Sequence, residues 1–387
     1  MKEGYKQTEI GVIPEDWEVA LFGEKSKIYR GGSPRPIQDY LTEADNGVNW
    51  IKIGDVSPDG KYITKTEDRI RPEGISKSRE VHSGDFILSN SMSFGRPYIL
   101  SIDGCIHDGW LAIQDYRETF STEFLYYLLS SESVYKQQVA MAAGSSVKNL
   151  NKEKVSALLV CFPREKAEQH RIAEALSDMD ELIASLEKLI AKKKAIKQGA
   201  MQELLTGKRR LPGFSGEWKT YKLGEVLSVK HGKAQQEIET PVGKYPILAT
   251  SGTIGRTNIY LCNAPSVLIG RKGTIDKPQY MDTPFWTIDT LFYTLINAGF
   301  HAKYLYYLFC TIPWNDYNEA SGVPSLSASV IESIPVKIPC YNEQLLLSDY
   351  LTDLDGQEIR LEKKAKKARQ IKQGMMQQLL TGTIRLN

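Results

Sequence analysis

The sequence predicts an α+β fold built twice over: two similar domains of short strands plus helices, separated by two long helices. Three observations predict it. Apolar and aromatic runs punctuated by Gly and Pro suggest strands with turns. Two proline-free, charge-rich stretches carry helical spacing. And "AIKQGAMQELLTG" (195–207) returns as "QIKQGMMQQLLTG" (370–382), ten of thirteen positions agreeing at an offset of 175 in a chain of 387 residues.

The match extends upstream, as expected where one unit has been written twice. Glu168-Gln169 aligns with Glu343-Gln344 at 175, and "FLYYLL" (124–129) with "YLYYLF" (304–309) at 180. "LSNSMSFGRP" (88–97) lies on "IGRKGTIDKP" (269–278) at 181, and Trp17 on Trp218 at 201. The boundaries read as a domain over 1–163, a helix over 164–210, a second domain over 211–340 and a second helix over 341–387. In each domain "VNWIKIGDV", "GDFILS" or "SVLIGR" reads as strand, with one helix around "TEFLYYLLSS" and its counterpart. Gly207 is placed to end the first long helix, before the boundary "LPGFSGEW" (211–218).

Apolar residues on the first long helix fall at Ile172, Leu176, Met179, Ile183, Leu186 and Ile190, in steps of four and three, with Lys193 the next, polar, member. That is the spacing of a coiled-coil seam. Adding 175 gives Leu347, Leu351, Leu354, Glu358, Leu361 and Ala365. Toward the C-terminal ends the phase shifts to Ile196, Ala200 and Leu204, answered by Ile371, Met375 and Leu379.

Charge orients the pair. Residues 165–187 hold seven acids and two bases, whereas 188–210 hold eight bases and one acid; 343–362 and 363–385 repeat the pattern. Macrodipole complementation fades within the terminal turns, and this segregation runs through the middle. Antiparallel pairing sets each acidic half beside a basic one. A register in which paired numbers sum to 551 brings Ile172 to Leu379 and Lys193 to Glu358. The expectation is an antiparallel intramolecular coiled coil, each helix some 50–60 Å long at about 1.5 Å per residue, with the two domains at opposite ends and a pseudo-two-fold relation between them.

Chemistry is scarce. Phosphate-loop, dinucleotide, zinc-protease and nucleophile-elbow motifs are absent, as is the Asn-Pro-Pro-aromatic motif of amino-methyltransferases. Five histidines lie scattered without metal-ligand spacing. His107-Asp108 beside Cys105 resembles a nucleophile and base but lacks an evident third orienting group. "VSPDGK" (56–61) is better read as a turn. Five cysteines without a CxxC pair suggest reduced thiols and a cytoplasmic setting. No apolar run spans a membrane, and the N-terminus is polar.

A rod with two diverged domains suits reading two half-sites on a duplex. Both "IKQG-M-Q-LLTG" helix ends, the prolines ahead of each Glu-Gln (Pro163 to Gln169, Pro339 to Gln344), "IPEDWEV" (13–19) and "RKGTI" (271–275) resemble the specificity subunit of type I restriction-modification systems, over essentially the full chain. The resemblance implies two target-recognition domains, no catalytic residues, double-stranded DNA as ligand, and two methyltransferase (M) subunits docked on the helices. It further implies restriction/translocase (R) subunits in the full complex, and S-adenosylmethionine held by the methyltransferase.

Candidate DNA contacts are Asn90, Ser91 and Arg96 in the first domain against Arg271, Lys272 and Lys277 in the second. Arg suits guanine and Asn adenine, but a strand-linking turn is the alternative reading of this loop. Arg30 and Arg35 in "YRGGSPRP", Lys230 and Lys233 in "VKHGKAQQ", and Lys148 in "GSSVKNLNK" join them. Regional charge stands against a simple polyanion binder, since the first domain sums to −4 and the second to +1. Binding then requires a segregated patch. A coiled-coil scaffold carrying two protein- or glycan-binding domains remains the alternative.

Overall fold

The computed structural model describes residues 3–57, 60–90, 95–142 and 150–386. Ser91, Lys148 and the Pro58-Asp59 turn lie outside the described residues. Chain contacts form two compact units, Met1–Ser185 with Ala365–Asn387, and Leu186–Lys364.

In the first unit a five-stranded sheet runs in the order Lys27–Arg30, Trp110–Gln114, Phe86–Ser89, Pro97–Leu100, Tyr62–Ile63. Its neighbours are antiparallel except the last pair. The central runs Phe86–Ser89 and Pro97–Leu100 are buried at every position, which is why they read as continuous apolar stretches without alternation. A four-stranded sheet (Asp68–Ile70, Val48–Ile51, Gly104–Ile106, Arg79–Val81) accompanies it, and Trp17–Leu21 pairs with Leu159–Pro163.

The second unit repeats this frame. Leu227–His231, Leu291–Ile296, Ser266–Gly270 and Gln279–Met281 form a sheet in that order. Lys219–Lys222 pairs with Pro335–Ile338, the counterpart of the Trp17 pairing. The expected helices are Thr122–Leu129 and Ala302–Phe309, again 180 apart. One helix per domain was too few, however. The first unit adds Glu132–Ala142 and Lys152–Ser156, and the second adds Leu223–Val226 and Ala328–Ser333. Glu132–Ala142 buries Val134, Gln138 and Ala142, so its inward face has almost no aliphatic signal at helical spacing.

The long helices are Lys166–Leu204 and Tyr341–Leu379, 39 residues each. Gly207 and Gly382 follow their ends at φ +72° and +68°, the left-handed turn that Gly allows at a helix C-terminus. Within the first unit, Ile172 and Leu176 share a core with Leu379 and Leu380. Within the second, Leu204 and Leu205 share one with Leu347, Leu351 and Leu354. Each unit therefore packs the start of one long helix beside the end of the other.

Met179, Ile183, Leu186, Ile190, Lys193, Glu358 and Leu361 are only half-buried, whereas Ala365 and Ala368 are buried. Two expectations need correction. Lys193 does not meet Glu358: Lys193 Nζ donates to Gln357 at 2.7 Å, while Glu358 takes Lys194 and Lys197 at 3.5 and 3.2 Å. Long amine side chains reach one turn along the partner helix, so directly facing residues need not be the bonded ones. Ile196 and Ile371 are also not seam residues, being 41% and 46% exposed. Lys197 and Lys372 turn inward instead, each held by a carboxylate of its own unit.

Candidate nucleic-acid interface and its supports

Each unit gathers the same three segments at one place. The first is the strand end Arg30-Gly31, or His231-Gly232. The second is the residue after a central strand, Asn90 or Arg271. The third is a turn, residues 107–109 or 288–290. A Cβ on Gly31 would lie 2.1 Å from the His107 carbonyl oxygen, and one on Gly232 1.9 Å from that of Ile288. Only glycine lets these strands close so tightly on the turn. Asn90 N donates to Gly109 O and Arg271 N to Thr290 O, at 3.1 and 2.8 Å. Leu150 N donates to Asn90 O, and Leu326 N to Arg271 O, at 3.0 and 2.9 Å. The gapless alignment of Asn90 with Arg271 is therefore structurally sound.

Their side chains diverge. Asn90 is 6% exposed and donates from Nδ2 to Asp108 O at 3.1 Å. Its side-chain amide is thus engaged within the fold, a use that the residue type did not indicate for this candidate contact. Arg96 also turns in, its guanidinium on the Gly60 carbonyl and over the Tyr98 ring. Arg30, Arg35, Lys230, Lys233, Lys272 and Lys277 are exposed, and Arg271 is half-buried. In the second unit His231, Arg271 and Lys272 line a cavity of about 500 Å³ with the hydroxyls of Ser325, Ser327 and Ser329.

Asp108 has a dense shell: Ser33 Oγ at 2.8 Å, His107 Nε2 at 2.9 Å and Arg35 Nη2 at 3.3 Å. Burial pushes its carboxyl up, but the Ser33 hydroxyl, His107 and Arg35 outweigh it and hold the group below the usual value. The Cys105 thiol is buried and pushed up to about 11 by that burial. So little thiolate exists that a nucleophilic role fails on chemistry. Among the described residues no cluster of three metal-ligating side chains occurs.

The Glu-Gln pairs turn out to be joints. Gln169 Oε1 accepts from Ser121 N at 2.8 Å and its Nε2 donates to Pro163 O at 2.9 Å; Gln344 does the same with His301 N and Pro339 O, at 2.9 and 3.0 Å. Both glutamines are buried. Glu343, fully buried, takes a two-pronged bond from Arg210 at 2.7 and 2.6 Å. Glu168 takes the same from Arg385 at 2.8 and 2.7 Å, and Asp16 joins as a second carboxylate. Bidentate Arg–carboxylate bonding suits a buried pair, because it satisfies most lone pairs at once. The arginines were legible, each three residues past a "TG" at offset 175.

A further repeated joint escapes sequence reading. Tyr127 OH donates to Asp180 at 2.8 Å and Tyr307 OH to Asp355 at 2.5 Å. Lys372 and Lys197 complete the two sets at 2.5 and 2.6 Å. Burial, then the adjacent carboxylate, pushes both phenols up, keeping them protonated donors. Above each tyrosine pair sits a lysine: Lys61 over Tyr126 and Tyr127, and Lys303 over Tyr306 and Tyr307.

The frame is one type of domain used twice, each copy held to a long helix by the same glutamine and tyrosine joints. A family model for the type I restriction modification DNA specificity domain matches residues 14–198 and 215–373, and the chain belongs to that family. The MjaVIII specificity subunit of Methanocaldococcus jannaschii is 24% identical over 445 residues, covering 100% of this chain and 97% of the relative. A second relative from that organism, described as a putative MjaX specificity subunit, is 25% identical with the same coverage. The crystal structure of the S subunit from M. genitalium superposes at a TM-score of 0.62 with 18% identity, covering 94% of this chain and 96% of its own. The HsdS subunit from Thermoanaerobacter tengcongensis superposes at 0.54 with 16% identity, covering 96% and 98%. Those superpositions show the shared fold.

Proposed function

We propose that this chain reads the DNA target for a type I restriction-modification complex without catalysing a reaction itself. Residues 1–163 and 211–340 act as target-recognition domains, each reading one half of an asymmetric bipartite sequence in double-stranded DNA. Residues 164–210 and 341–387 pair as an antiparallel intramolecular coiled coil that sets the spacing of the half-sites. The observation that carries this reading is one frame present twice, with different charged groups at its equivalent surface. Identical domains suit a palindrome, whereas diverged ones suit two unlike half-sites. Exposed cations flank each turn, Arg35 at 107–109 and Lys233 and Lys272 at 288–290, and polyanion binding draws on such local charge despite the first domain's negative sum.

The helices, in this reading, also dock two methyltransferase subunits, which hold S-adenosylmethionine and methylate adenine; restriction/translocase subunits join in the full complex. Leu189 and Ile196 in the second unit and Ile371 in the first stand 39%, 41% and 46% exposed. Singly scattered apolar residues are ordinary on a surface, so the docking reading rests on the chain's family membership. No helix among the described residues is long and apolar enough to cross a membrane, and the setting proposed is the cytoplasm, where the DNA and partners are. The test is co-expression with a cognate methyltransferase, followed by mapping of methylated adenines in host DNA. A bipartite motif that appears only with this chain is the expected result. A stable complex and an active methyltransferase without a motif would refute the reading.

A further inference from the structure

We infer that Arg35 and Arg271 are the base-reading residues of the two recognition domains, each for guanine, although they occupy non-equivalent positions in the repeat. The inference rests on the DNA-reading function proposed above and names the residues that carry it.

The turn at 107–109 aligns with 288–290 at offset 181, so Asp108 and Asp289 are equivalent. Each turn tethers one arginine. In the second unit Arg271 Nη1 donates to the Asp289 carbonyl at 3.3 Å. In the first, the residue equivalent to Arg271 is the buried Asn90, and the guanidinium arrives from the other flank: Arg35 Nη2 meets Asp108 Oδ2 at 3.3 Å. The same place in the fold thus receives a guanidinium from the loop after a central strand in one domain, and from the loop after the edge strand in the other.

Each tether uses one terminal nitrogen. Of the five N–H groups of a guanidinium, the rest make no hydrogen bond or ion pair among the described residues, and the Arg35 side chain is 79% exposed. A long side chain held at one point loses less freedom on binding than an untethered one. Two parallel N–H donors match the O6 and N7 acceptors of guanine in the major groove. Phosphate is the poorer use of Arg35, because Asp108 offsets its charge. The exposed Lys230, Lys233, Lys272 and Arg30, which make no side-chain ion pair among the described residues, suit that duty better.

The test uses the assembled complex of this chain with its methyltransferase, presented with a pool of randomised duplexes whose methylated members are sequenced. Arg35→Ala should relax one guanine position in one half-site, and Arg271→Ala one in the other half-site. Discrimination at that position should fall by about 5- to 150-fold while the remaining half-site is unchanged. Arg35→Lys and Arg271→Lys should relax the same positions, since lysine keeps the charge and loses the fork. An even loss over all sequences that lysine restores would make these phosphate contacts and overturn the inference. Unchanged motifs in both alanine variants would overturn it equally. A wild-type complex that selects no motif would instead strike the underlying function.

Discussion

The two domains differ in the cations around their equivalent turns and agree in the joints that hold them to the long helices. Gly31 and Gly232 close on equivalent carbonyls, and Gln169 and Gln344 tie equivalent helix starts. The Tyr-Asp-Lys sets are equivalent in every member. Yet the lysine over the tyrosine pair comes from the segment before a strand in one domain and from the helix itself in the other, as Lys61 and Lys303. Lys61 pairs with Glu123, the residue that aligns with Lys303. A charge at a given place constrains the chain less than a backbone contact does, because many positions can deliver a long side chain to one spot. Equivalence in sequence therefore finds the frame reliably and the working groups only in part.

The largest test of that comparison lies in the clamps. Arg210→Ala strands the fully buried Glu343 and should destabilise the chain by about 3–5 kcal/mol, read by chemical denaturation. Arg385→Ala should cost at least as much, because it leaves both Glu168 and Asp16 without their guanidinium. If Arg385→Ala is mild while Arg210→Ala is severe, the clamps are not equivalent.

The tyrosine sets offer a finer contrast. Asp180→Asn should cost about 1.5–3 kcal/mol, the worth of a hydrogen bond to a charged group. Asp355→Asn should cost less, since Lys197 keeps Glu358 as a second carboxylate. A double-mutant cycle with Tyr127→Phe and Tyr307→Phe measures each coupling; equal couplings would show that Glu358 gives no support.

Smallest is the seam. Glu358→Met removes a group bonded to two lysines and should cost about 1 kcal/mol, whereas Lys193→Met, which loses only Gln357, should stay within about 0.5 kcal/mol. Equal effects in thermal unfolding would restore a direct Lys193–Glu358 pairing.

Much of the architecture was legible because periodicity and repetition are properties of the backbone frame. The long helices, the Gly207 stop and the Tyr-Tyr helix all follow from spacing and offset. What was not legible depends on side-chain reach. Lys193 bonds one residue away from its expected partner, and Ile196 yields its inward place to Lys197 because Asp355 and Glu358 pair with the ammonium there. Asn90 and Arg271 align without a gap, but burial turned Asn90 into a structural hydrogen bond that no pattern of residue types reveals. Arg35 entered as one of several loop cations; the carboxylate that distinguishes it, Asp108, lies 73 residues away.

The tyrosine joint works as a standard fitting. Tyr127 and Tyr307 present the same hydroxyl to the same carboxylate position, and Gln169 and Gln344 offer the same amide to the backbone at the entry of the tyrosine helix. Nothing in that connection refers to the loops that surround the turns at 107–109 and 288–290. A domain evolving or grafted in from elsewhere that brings a tyrosine at that helical position and a backbone N–H at the helix entry keeps both of these bonds. The vocabulary of the loops can then be rewritten while the grammar of attachment stays fixed.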